Sequence, residues 1–186
     1  MDTYSLGKTL IDAEELQQRV KEIAAQINTD YEGKELFIIA ILKGAFIFMA
    51  DLCRELDVKH MVDFMALSSY GQSMTQSGAV RIIMDLRQPI EGRHVLVVED
   101  IVDSGSTLDY LLTVLQGRNP ASLKTCVLVS KDREQLDVPI DYLGFSIPDV
   151  WVVGYGLDFA ERYRTLPHIA ELEKEQKETP SDRPEG

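Results

Sequence analysis

The chain has 186 residues, with 19 Lys and Arg against 31 Asp and Glu, a formal net charge of -12 at pH 7 and 45% hydrophobic residues. That length fits one domain, and the composition excludes wholesale disorder. So acidic a surface repels nucleic acid and anionic membrane, and any polyanion the chain binds must be held by a local device.

Asp12 and Glu15 form a capping pair ahead of Leu16, Val20, Ile23, Ala24 and Ile27, which recur at helical spacing. Residues 35–42 are a near-continuous apolar run, the pattern of a strand covered on both faces. Lys43-Gly44 breaks it, and 45–56 reads as a mostly apolar helix, part of the core or of a subunit contact. A strand over 61–67 is followed by the polar stretch 68–78, a loop of functional or mobile character, and by a returning strand over 80–84. Residues 95–98 read as a short buried strand, 107–115 as an amphipathic helix and 124–129 as a strand. Short strands over 142–145 and 150–153 are parted by a turn at Pro148, and from residue 171 the chain is charged, Pro-bearing and expected to fray. Alternating strands and helices predict an α/β fold with a largely parallel sheet.

No apolar run approaches the ~20 residues of a membrane span. Residues 1–5 lack a basic segment leading into an apolar stretch, so no signal peptide is expected. Cys53 and Cys126 show no metal or redox spacing and read as two buried free thiols of a cytoplasmic protein. His60, His94 and His168 lack ligand spacing and read as structural or exposed.

The chemistry concentrates in residues 95–108, V-L-V-V-E-D-I-V-D-S-G-S-T-L. A strand ends in Glu99-Asp100, and a loop of Asp103, Ser104, Gly105, Ser106 and Thr107 runs into a helix, where an open parallel sheet binds ligands. Gly105 permits a tight turn whose N–H groups converge on one anion, and three hydroxyls and the helix N-terminus add to it. Carboxylates repel phosphate, so Glu99 and Asp100 suit instead two vicinal hydroxyls, or Mg²⁺. A diol beside a phosphate is a ribose 5-phosphate. The alternative is an ordinary strand–turn–helix junction with solvated acids and capping hydroxyls. No G-x-x-x-x-G-K-[ST] or G-x-G-x-x-G sequence is present.

This segment resembles the phosphoribosyl pyrophosphate signature of type I phosphoribosyltransferases. Leu42-Lys43-Gly44, Ser69-Tyr70, Lys131, residues 144–149 (GFSIPD), residues 152–158 (VVGYGLD) and Arg164 narrow the resemblance to the hypoxanthine-guanine phosphoribosyltransferases, in order over roughly residues 5–172. It implies a central mostly parallel sheet flanked by helices, a small hood and a flexible lid loop. The implied layout is one domain over 1–172 and a disordered tail over 173–186.

The implied reaction joins a 6-oxopurine to C1 of ribose 5-phosphate and releases pyrophosphate, with Mg²⁺, in a cytoplasmic homodimer or homotetramer. Residues 103–107 would cradle the 5-phosphate while Glu99 and Asp100 contact the ribose hydroxyls. Asp103 would be the general acid/base at purine N7, or else a helix N-cap. Leu42, Lys43 and Gly44, joined by a non-proline cis peptide after Leu42, would bind pyrophosphate with Ser69, Tyr70 and Arg164; the plain reading of Arg164 is a solvated partner of Glu161. Lys131 would donate to the 6-oxo group and reject adenine. Trp151 would stack on the base, unless it packs in the core, and Val152 would present backbone groups. Asp158 would lie near the purine and join Glu99 and Asp100 as a metal acid. The loop over 68–78 would close over a centre that water destroys. Asp132 after Lys131 departs from a more basic run in some relatives and bears on choice among 6-oxopurines. Two competing readings are a relative acting on xanthine and a non-catalytic, nucleic-acid-binding regulator on the same fold; the acidic pI near 4.6 opposes the latter.

Overall fold

Two interleaved sets of apolar side chains on one strand decide the architecture. A computed structural model describes residues 4–69, 80–132 and 138–174. In β2 (Leu36–Leu42), Ile38 and Ala40 pack in one cluster with Leu16, Val20 and Ile23 of α1 (Ala13–Asp30) and Phe48, Met49 and Leu52 of α2 (Phe46–Glu55). Phe37, Ile39 and Ile41 point the other way, into a cluster with Leu108, Leu111 and Leu115 of α3 (Ser106–Gln116). A strand with helices on both faces must be apolar at both parities, and this one is.

The sheet runs β4 (Val80–Met84), β3 (His60–Ser69), β2, β5 (His94–Val102), β6 (Ser122–Lys131), β7 (Tyr142–Ile147), parallel except for β4. A second, antiparallel sheet of β1 (Tyr4–Ile11), β9 (Ile169–Lys174) and β8 (Val152–Val153) is the small hood. The predicted capping box on α1 is present: Asp12 Oδ1 accepts from the Glu14 and Glu15 N–H groups, and Glu15 accepts from the Asp12 N–H.

The structure differs from the sequence reading at element edges. β5 runs on through Glu99 and Asp100 to Val102, because β6 offers ladder partners as far as Ser130 and backbone hydrogen bonding is indifferent to side-chain polarity. Ser68 and Ser69 belong to β3, paired with Arg81 and Val80, and the rest of the loop over 68–78 lies outside the described residues. Residues 171–174 are strand, not fraying tail: Leu172 is buried while Glu173 and Lys174 face water, a half-buried pattern that charge disguises. The remainder of the tail, 175–186, lies outside the described residues. β1 has no clean two-residue alternation in the sequence, and its pairing with β9 shifts register between Leu6 and Thr9 and again between Thr9 and Ile11. Val150 and Trp151 precede β8 rather than join it.

Candidate active site

The C-terminal ends of β2, β5 and β6 carry residues 42–44, residues 99–107 and Lys131, at the end where open parallel sheets bind ligands. A cleft of about 200 Å³ is lined by Glu99, Asp100, Asp103, Ser104, Gly105 and Thr107. A wider open groove of about 740 Å³, lined by Asn28, Lys34, Asp57 and Lys59, holds none of the predicted site residues.

Gly105 has φ +80 and is the N-cap of α3, with no side chain capping the helix. The first-turn N–H groups of α3 are therefore left for a ligand, an anion site by construction. Ser104 and Ser106 set their hydroxyls 3.2 Å apart at its mouth. Asp103 is thus not the N-cap, and its side chain is 54% exposed.

Burial, reinforced by the neighbouring Asp100 charge, holds the Glu99 carboxyl well above the usual carboxylate range. Burial also raises Asp100, opposed by its hydrogen bond with Glu99 and by the Arg164 charge. Two acids this close disfavour each other's charged form, which a nearby cation or hydroxyl donors would favour. Asp100 lies over Gly44, where a Cβ would overlap its carboxylate. Gly44 follows the Leu42–Lys43 peptide, which is cis as the resemblance implies.

Lys131 ends β6 with its side chain 12% exposed, 3.0 Å from Asp149 Oδ1 and 3.9 Å from Asp103 Oδ1. Its ammonium stands 5.9 Å from the centroid of Trp151, which is 68% exposed and edge-on to Phe159. Trp151 is therefore not a core residue. Its carbonyl accepts from the Leu172 N–H, so strand alternation turns the backbone groups of buried Val152 to the open edge of the hood sheet. Asp132 accepts from Ser146 Oγ at 2.7 Å.

Arg164 is not a solvated partner of Glu161. Its side chain is 17% exposed; one Nη donates to Gly156 O at 2.8 Å, and the other meets Asp158 at 2.8 Å and Glu161 at 3.2 Å. Asp158 Oδ2 also accepts the Glu161 N–H at 2.8 Å. Glu161 pairs in turn with Lys43 Nζ at 3.0 Å, tying this segment to the cis peptide. Hydrogen bonds from Lys43 and Arg164 hold the Glu161 carboxyl below its usual range. Tyr155, at φ +49, anchors the segment by donating to Asp51 on α2 at 2.5 Å.

Ser69 ends β3, one strand over from Leu42, and Tyr70 lies outside the described residues. The sequence reading missed the Lys43–Glu161 link, Phe159 beside Trp151, and Asp149 as the partner of Lys131. Only Asp149 had left a trace, as the last residue of the 144–149 motif.

The family described as phosphoribosyl transferase domain matches residues 8–160, and the chain belongs to this family, in its hypoxanthine-guanine branch. It is 47% identical over 173 residues to the hypoxanthine-guanine phosphoribosyltransferase of Dictyostelium discoideum, covering 90% of this chain and 96% of that protein. The crystal structure of a Bacillus anthracis hypoxanthine-guanine phosphoribosyltransferase superposes with a TM-score of 0.84 at 44% identity, over 91% of this chain and 99% of the other. A Trypanosoma cruzi hypoxanthine phosphoribosyl transferase, studied for the role of its C-terminal region in oligomeric state and enzymatic activity, superposes with a TM-score of 0.83 at 46% identity, over 90% and 92% of the two chains.

Proposed function

We propose that this chain moves the 5-phosphoribosyl group of phosphoribosyl pyrophosphate onto hypoxanthine or guanine, giving IMP or GMP and pyrophosphate. The observation that carries this reading is one edge of one sheet. There an uncapped helix N-terminus and an adjacent acid pair lie by a lysine whose ammonium stands 3.9 Å from Asp103 and 5.9 Å from the centroid of exposed Trp151.

In this reading the Gly105 turn takes the 5-phosphate, with Ser104, Ser106 and Thr107, and the Glu99–Asp100 pair accepts from the ribose hydroxyls. Asp103 gives and takes the N7 proton, a transfer that supplies roughly 10²–10⁴-fold in rate. Lys131 donates to the 6-oxo group, Trp151 stacks on the ring and Val152 offers its backbone groups. Lys43, Gly44, Ser69, Tyr70 and Arg164 receive the pyrophosphate, with Arg164 presenting a planar fork rather than a point charge.

The donor set also fits Mg²⁺. Among the described residues no three acids, histidines or cysteines cluster as a metal site, but Mg²⁺ takes one or two carboxylates and fills its shell with water and substrate phosphate. Glu99 and Asp100 are an oxygen-only pair whose carboxyls are both raised by burial, that of Glu99 also by the Asp100 charge. They would hold the ion, with Asp158 at the purine and pyrophosphate side, and the ion would offset the charge growing on the leaving group.

The two cysteines are both free thiols, which suits a reducing cytoplasm; among the described residues no helix is long and apolar enough to cross a membrane. A second copy of the chain, in a homodimer or homotetramer, is the proposed macromolecular partner. The deciding experiment is a spectrophotometric assay of hypoxanthine, guanine, xanthine and adenine, each with phosphoribosyl pyrophosphate, with and without Mg²⁺. Turnover of the first two that stops in excess chelator is expected. Activity with adenine alone, or none with any base, overturns the reading.

A further inference from the structure

We infer that Asp149 is a positioning residue for base selection: it holds the Lys131 ammonium at the purine edge and off Asp103. This rests on the reading of Lys131 as the donor to the 6-oxo group. The backbone of Lys131 is fixed, since it pairs with Ile147 in the β6–β7 ladder and the next N–H, of Asp132, donates to Ile147 O at 2.7 Å. Its ammonium sits on a flexible four-carbon stem and is placed only by what it touches. The contacts of that ammonium are unequal. Asp149 Oδ1 is at hydrogen-bonding distance, 3.0 Å, whereas Asp103 Oδ1, at 3.9 Å, attracts it through charge alone. The Trp151 face, 5.9 Å away, steadies it only weakly.

Asp149 is itself held by its loop. The Val150 N–H donates to Pro148 O at 2.8 Å, and the Trp151 carbonyl is bonded to β9, so the carboxylate is presented from a braced turn. One ammonium hydrogen is thereby committed to Asp149, and two remain for a substrate acceptor. If the Asp149 charge is removed, the pull of Asp103 is unbalanced. The ammonium then swings onto the acid that must exchange a proton with the base, so base recognition and proton transfer both suffer while the sugar pyrophosphate end does not.

The test is Asp149→Asn, compared with Asp149→Glu, Lys131→Ala and the double variant Lys131→Ala with Asp149→Asn. The measurements are kcat and KM for hypoxanthine and for phosphoribosyl pyrophosphate, and the hypoxanthine-to-adenine activity ratio. Asp149→Asn is expected to raise KM for hypoxanthine about five- to tenfold, to lower the activity ratio, and to leave KM for phosphoribosyl pyrophosphate and the melting temperature unchanged. Asp149→Glu should recover most of the loss, and in the Lys131→Ala background Asp149→Asn should add nothing. An unchanged Asp149→Asn enzyme, or an equal loss with Lys131 already removed, overturns the inference while the purine reading of Lys131 stands. If Lys131→Ala itself leaves base use unchanged, the purine reading falls and takes this inference with it.

Discussion

The β5–α3 junction and the segment from Gly154 to Arg164 flank the same cleft and treat charge in opposite ways. At the junction two acids are buried side by side with their carboxyls raised, Asp100 only partly offset by Glu99 and Arg164, and the helix N-terminus beside them has no cap. In the second segment the charges nearest the cleft are paired, as Arg164 is forked between Asp158 and Glu161, and Glu161 is shared with Lys43. The first region is a gap in the electrostatics that ligand and metal can complete. The second is a paired network that, in the proposed reading, must trade partners before a pyrophosphate can use its cations. In the proposed reading, binding of the sugar phosphate is thereby separated from capture of the leaving group.

The largest effect expected comes from breaking the paired network through its backbone. Gly156 sits at φ +107 with its Cα against Gly44 O, and a Cβ there would overlap that carbonyl. Gly156→Ala should cost roughly 3 kcal/mol in denaturant unfolding and abolish turnover; a stable, active variant would show that the two loops are not in register with each other.

Next in size, Asp103→Asn should lower turnover about a hundredfold while base and phosphoribosyl pyrophosphate still bind, measured by calorimetry beside kcat. Equal losses in binding and rate would move Asp103 from proton transfer to simple docking.

Gly44→Ala sharpens the contrast, because its Cβ would displace the Asp100 carboxylate rather than backbone. About a tenfold loss of activity with a nearly unchanged melting temperature is expected; a drop in stability like that of Gly156→Ala would make the two regions alike.

A surface pair outside both regions supplies the baseline. Arg118 meets Asp85 with two hydrogen bonds, of 2.8 and 2.9 Å, and holds its carboxyl below the ordinary aspartate value. Because the folded value is the lower one, the pair stabilises the protein above about pH 4 and is lost as pH falls through the folded value. Asp85→Asn should therefore cost ~0.5 kcal/mol near pH 7, given the exposure of both side chains, with the gap from the parent closing toward pH 3 in urea titrations.

How far each region could be read beforehand follows the same divide. The junction is local: strand, acids, glycine turn and helix start lie within 95–108, and their order alone implies a phosphate beside a diol. The buried strand over 36–42 and the Asp12–Glu15 cap were equally legible, being short-range patterns of hydrophobicity and hydrogen bonding. The far end of β5 was harder, since its ladder is decided by β6 and not by its own polar residues. The contacts of Asp149 had no sequence signal, because 18 residues separate it from Lys131.

Sequence alone determined which residues carry charge, where the chain must turn, and which faces have to be buried. Tertiary structure decided which charges meet. Lys43 and Glu161, 118 residues apart, are joined by the crossing of two loops. Trp151 is turned out of the core by the hood strand that binds its carbonyl. Hydrophobic periodicity and turn chemistry act over a few residues and are written in order along the chain. Ion pairing and stacking depend on distance in space, which only the packed sheet and its hood set.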